Sequence, residues 1–277
     1  MSTAPPPPPG YLPVQRNRVS SGSLILWMFG ALVGGIIAAG FAAGLIAASD
    51  TDPFSPLPFA GVFIAQFAGS FAVVMLFSRV AGSRSLAADV GLVLRGKDWW
   101  AVLAGMGLQI AAVLVSLPFI ELMFPDGAPS QGVAEIAESS ETTLEVLGIF
   151  LAVAILAPVI EEIIYRGMLL PWLGRFMGKW PSILVSAAVF SLVHPLLDWD
   201  ARAAVPGLFF IGVVLAWAAV HRGDLSLSIA LHSGVNLLAA FLIVWGPEVT
   251  DWLELQLEEL EQIDALIRIG MGAVGIG

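Results

Sequence analysis

The chain has 277 residues, of which 58% are hydrophobic and 12% charged, with a net charge of −10 and no cysteine. Soluble domains carry about 25% charged residues, so the composition excludes an ordinary soluble fold, and the acidic balance argues against nucleic acid as a partner. Without cysteine there are no disulfides, thiolate metal sites or cysteine nucleophiles.

The mean hydropathy of +0.89 points to a membrane protein. The expected fold class is an all-α, polytopic transmembrane helical bundle of seven to eight spans. Residues 1–22 open on "MSTAPPPPPG", a proline run that favours extended backbone. They read as a disordered, proline-rich cytoplasmic tail. The first apolar stretch is too long for the h-region of a cleavable signal peptide, about 7–15 residues.

A hydrocarbon core of ~30 Å needs about 20 apolar residues as helix. Spans are expected at 23–48, 58–78, 99–120, 143–166, 182–197, 205–221 and 225–245. Pro53, Pro56, Pro125, Pro181 and Pro247 are placed between them, at helix boundaries. The fifth span is short for a crossing and is expected to be tilted, shielded or irregular. The first holds "GALVG" (30–34) and "GFAAG" (40–44), whose small residues allow close helix packing. A bundle over 23–245, with its motif core at 143–245, is followed by an acidic amphipathic segment at 246–277. There Leu253, Leu257, Leu260 and Ile267 recur at helical spacing.

Arg16, Arg18, Arg79, Arg84, Arg95, Lys97, Arg175, Lys179 and Arg222 fall in alternate loops. The positive-inside rule makes that side, and the N-terminus, cytoplasmic. The opposite loops carry Asp50, Asp52, Asp126, Glu135, Glu138 and Glu141.

Three segments place functional groups inside spans: "EEIIYR" (161–166), "FSLVH" (190–194) and "HSGVN" (232–236). A buried ionisable group in a span is costly, so each is a functional candidate. Glu162 and Arg166 are four apart, share a helix face and can pair. Glu161 is rotated by ~100° from Glu162 and has no cation at that spacing. It is therefore the free carboxylate, with Tyr165 on its own face and within reach of a hydrogen bond. Phe190 shares a face with His194 and can hold its ring, and His232 shares one with Asn236. Glu161, His194, His232 and Asn236 together supply a base, two imidazoles and an amide. That set suits hydrolysis by an activated water. Taken singly, a Glu–Arg pair is commonly a helix lock and a buried histidine a packing residue. His221, beside Arg222 and Gly223, reads as interfacial.

These motifs, in this order, resemble the CPBP family of intramembrane proteases, which includes type II CAAX prenyl endopeptidases and bacteriocin-processing proteins. The family pattern is EExxxR, FxxxH, HxxxN, and the resemblance covers about residues 145–245, including the approach "HRGDLSLSIALHSGVN". It implies a bundle that is usually of eight helices. It also implies that Glu161 and His194 activate water while His232 and Asn236 position it or stabilise the oxyanion. Glu162, Arg166, Tyr165 and Phe190 then support the site. Zinc on Glu161, His194 and His232 and a metal-free glutamate mechanism both stay open, since no HExxH spacing is present. The implied partners are the lipid bilayer and a membrane-associated protein or peptide substrate. The alternatives are a catalytically silent scaffold or immunity protein of the same fold, and a proton-coupled transporter. The absence of an inverted repeat weakens the transporter. The sequence leaves the oligomeric state unknown.

Overall fold

The computed structural model describes residues 21–125 and 132–246. The proline-rich run, Arg16, Arg18, Asp126, Pro247 and the acidic amphipathic segment after Gly246 lie outside the described residues. Among those described there is no strand. Seven helices are long and apolar enough to cross a membrane. They are α1 (Ser21–Ala47), α2 (Pro56–Val80), α3 (Trp100–Met123), α4 (Thr143–Leu173), α5 (Lys179–Leu197), α6 (Val205–Arg222) and α7 (Ser226–Gly246). The chain is an integral, multi-pass membrane protein.

Two boundaries differ from the sequence reading. Pro56 and Pro181 lie in the first turns of α2 and α5 rather than between spans. The first turn has no intrahelical acceptors to offer its N–H groups, so proline loses nothing there. Helix α4 runs to Leu173, past the expected end at 166. Its start is fixed by a capping box: Thr142 accepts from the Glu145 N–H while Glu145 reaches back to the Thr142 N–H. The fifth span is a 19-residue helix with Pro195 in its last turn.

Backbone proximity sets the packing. Helices α1 and α2 lie along each other. A Cβ on Gly34 would stand 2.6 Å from Val73 Cγ2, and one on Gly69 2.7 Å from Gly34 O. The first small-residue motif is therefore a contact stripe. Gly40 and Gly44 of the second meet nothing within 4 Å. Helices α3 and α7 cross with Gly105 against Gly234, each so near the other that an added Cβ would lie 3.0 Å from the opposite Cα. Helix α6 packs on both α5 and α3. The main core gathers Ile163, Met168, Phe190, Val74 and Phe77, all at most 1% exposed, from α2, α4 and α5.

The end of the bundle that carries the basic loops is tied by a polar network. Arg95 pairs with Asp224 at 2.7 Å and Arg222 with Asp98 at 2.6 Å. Ser226 Oγ accepts from the Arg95 N–H and donates to Asp98 Oδ2 at 2.6 Å. The Leu225 N–H donates to Gly91 O. These bonds fasten the segment before α3 to the tight turn between α6 and α7. Gly223 in that turn has a φ of 77°, which a side chain would disfavour.

Candidate active site

Helix α4 carries the two glutamates between two widened turns. Leu151–Leu156 and Ile163–Leu169 follow a five-residue hydrogen-bond pattern, ending with Ala157 N–H on Ala152 O and Leu170 N–H on Tyr165 O. In both places the next residue is proline, Pro158 and Pro171. Proline has no N–H, and its ring crowds the carbonyl four residues back. A widened turn accommodates that ring without ending the helix. Such turns are rare and recur at functional sites. Between them, Ala157–Glu162 is ordinary α-helix.

The two carboxylates sit in different surroundings. Glu162 is fully buried, and its Oε1 accepts from Arg166 Nη1 at 2.8 Å and from His232 Nδ1 at 3.0 Å. Arg166 is equally buried. It donates to Gly212 O at 3.2 Å and lies over the Phe190 ring, 4.5 Å from its centre. Glu161 keeps 27% of its side chain exposed, and its Oε2 is 3.6 Å from His232 Nε2. His232 thus stands between the glutamates, with one ring nitrogen towards each. The Glu162–Arg166 contact has the geometry expected from four-residue spacing. The Glu162–His232 bond was not legible in that spacing, because it joins residues 70 apart.

Phe190 is the hub of the ring contacts. It meets Tyr165 at 5.2 Å, His194 at 5.0 Å and His232 at 5.7 Å, each edge-on. The His194 ring is further held by Nδ1 at 2.8 Å from Phe190 O. A carbonyl only accepts, so the proton lies on Nδ1 and Nε2 is left as an acceptor. By the same reasoning the Glu162 carboxylate places a proton on His232 Nδ1. Tyr165 turns its ring to Phe190, and among the described residues no hydrogen bond joins it to Glu161. Asn236 Nδ2 donates to Val153 O at 2.8 Å, which joins α7 to the first widened turn of α4. Gly234 faces α3 while His232 and Asn236 face α4. The glycine contact therefore presses the site-bearing face of α7 towards the glutamates.

The structure gathers Glu161, Glu162, Arg166, Phe190 and His232 in direct contacts, with His194 reached through Phe190. Among the described residues no three of His, Asp and Glu are grouped to hold a metal ion. His194 Nδ1 and His232 Nδ1 are both engaged by protein acceptors. That leaves Nε2 of each ring as the nitrogen open to a ligand, and Glu161, His194 and His232 are not among any such group.

The family model for the type II CAAX prenyl endopeptidase Rce1-like proteins matches residues 143–238. Over that region the chain is similar to Rce1-like proteins. The matched part spans α4 to α7 and holds every residue of the site described above. A UPF0177 protein, YaiF, of Lactococcus lactis subsp. lactis (strain IL1403) is 35% identical over 91 residues, covering 33% of this chain and 38% of that relative. The chain therefore spans well under half the length of this curated relative. No solved structure matches.

Proposed function

We propose that the protein is an intramembrane endopeptidase that hydrolyses a peptide bond of a membrane-associated protein or peptide with a water activated by Glu161. The observation that carries this reading is the asymmetry of the two glutamates: Glu162 is neutralised and sealed, while Glu161 is partly exposed beside His232. The match to a protease family supports the same reading.

The chemistry needs a base, an acid and a holder for developing charge. Glu161 takes one proton from water, and the water oxygen bonds to the scissile carbonyl carbon. The oxyanion so formed is stabilised by a His232 imidazolium, whose Nδ1–H is held by Glu162 and whose Nε2 faces the reacting centre. His194, with Nε2 free to accept, orients the water. Glu161 then returns its proton to the amide nitrogen as the C–N bond breaks, leaving an acid and an amine. Glu162 has two tasks in this scheme. It balances Arg166, and it holds the His232 Nδ1–H so that Nε2 is aimed at the reacting centre.

The test is cleavage of a membrane-peptide library by purified wild type, Glu161→Ala and His194→Ala. Wild type should cut, and both variants should lose about 100-fold or more, the scale of a general base. Undiminished cleavage in either variant would sink the assigned mechanism. An inert wild type, with a cellular phenotype that survives Glu161→Ala, would favour the scaffold. Dialysis against a chelator should leave turnover unchanged, and a loss that zinc restores would contradict the metal-free reading.

A further inference from the structure

The family resemblance makes Asn236 an oxyanion group, and one of its two amide N–H groups is bonded to another helix. Val153 O, its acceptor, lies in the first widened turn of α4. In an ordinary α-helix that carbonyl would receive the Ala157 N–H, four residues on. Here the Ala157 N–H goes to Ala152 O instead. In the five-residue pattern the donor would come from residue 158, and that residue is proline. Neither register therefore supplies Val153 O with a backbone donor. Val153 is half-buried, and a carbonyl without a donor is costly where lipid excludes water. Asn236 provides the missing N–H from another helix.

The consequence is angular. A widened turn holds one extra residue, and one residue on an α-helix is ~100° of rotation. The same angle separates Glu161 from Glu162. If the turn relaxed to α geometry, everything after it would rotate by about one residue position, and a different side chain would face His232. Arg166 turns with Glu162 because both follow the turn on the same helix, so the register of this turn decides which glutamate faces His232 and which is left exposed.

We propose that Asn236 is a positioning residue: it holds the widened turn of α4 through the Val153 carbonyl that Pro158 leaves without a donor, and so fixes the register of Glu161 and Glu162. The proposal rests on the protease reading for its catalytic readout, but not for its structural one.

A double-variant cycle of Asn236→Ala and Pro158→Ala tests it. An alanine at this position offers the N–H that Val153 O lacks, so it should make Asn236 dispensable. In the wild-type background Asn236→Ala should lower kcat per folded molecule about tenfold, the scale of one lost hydrogen bond, with KM little changed. In the Pro158→Ala background the same substitution should have little effect. An equal loss in both backgrounds would overturn the proposal and assign Asn236 to direct contact with substrate. The melting temperature of the four proteins gives the same cycle without any substrate. Asn236→Ala should lower it clearly in the wild-type background and little in the Pro158→Ala background. Additive shifts would overturn the lock even if no cleavage were ever found. Conversely, a coupled melting cycle in a protein that cuts nothing would preserve the lock and reject the protease. Pro158→Ser supplies the same N–H if Pro158→Ala fails to fold.

Discussion

Adjacent glutamates in an apolar helix divide their labour according to what surrounds them. Glu162 meets Arg166 and His232 with no exposure, and Glu161 keeps a partly open carboxylate. Spacing was enough to pair Glu162 with Arg166, because four residues bring side chains onto one face. Spacing could not reveal His232 as the bridge between the glutamates, since that contact depends on how α7 docks. The docking adds a second duty to Glu162. Glu162→Ala strands the Arg166 charge in the core and should cost about 3–5 kcal/mol of stability, read as a lowered melting temperature of the detergent-solubilised protein. A variant that melts like wild type would show that Arg166 finds another partner.

At the scale of elements, two prolines and a glycine pair shape the site. Pro158 and Pro171 are in plain view in the sequence, but neither announces a widened turn, and the expected span ends at 166, short of Leu173. The widened turns carry the helix through both prolines, and the glutamates lie between them. The Gly105–Gly234 crossing was also illegible, because a glycine in an apolar run gives no sign of which helix it meets. Gly234→Val would drive a side chain into Val102 O and push α7 away from α3. Its expected outcome is a lower melting temperature together with lost turnover. Retention of both would mean that the crossing is not required. The α1–α2 stripe shows the opposite case, in which small residues four apart marked a true contact at Gly34 but not at Gly40 or Gly44.

For the whole molecule, composition alone was sufficient to indicate a polytopic helical bundle, because lipid admits few other backbones. All seven expected spans have a helical counterpart. The polar network of Arg95, Asp98, Arg222, Asp224 and Ser226 shows in the sequence only as loop charge. It is instead the tie that fixes the turn before α7, and through it the height of His232. The distribution of basic residues predicts that this end faces the cytoplasm. The chain has no cysteine, so single cysteines can report the topology. Ser49→Cys, exposed between α1 and α2, should react in intact cells with a membrane-impermeant maleimide, and Lys97→Cys only after permeabilisation. The reverse pattern would invert the bundle.

The central claim is that Glu161 acts on water while Glu162 holds the structure around it. The most direct measurement is turnover per folded molecule, with melting temperature, for Glu161→Gln beside Glu162→Gln. The account predicts that Glu161→Gln melts like wild type and loses about 100-fold or more of its turnover, whereas Glu162→Gln melts distinctly lower. A Glu161→Gln protein that still turns over while Glu162→Gln keeps full stability and loses turnover would contradict it.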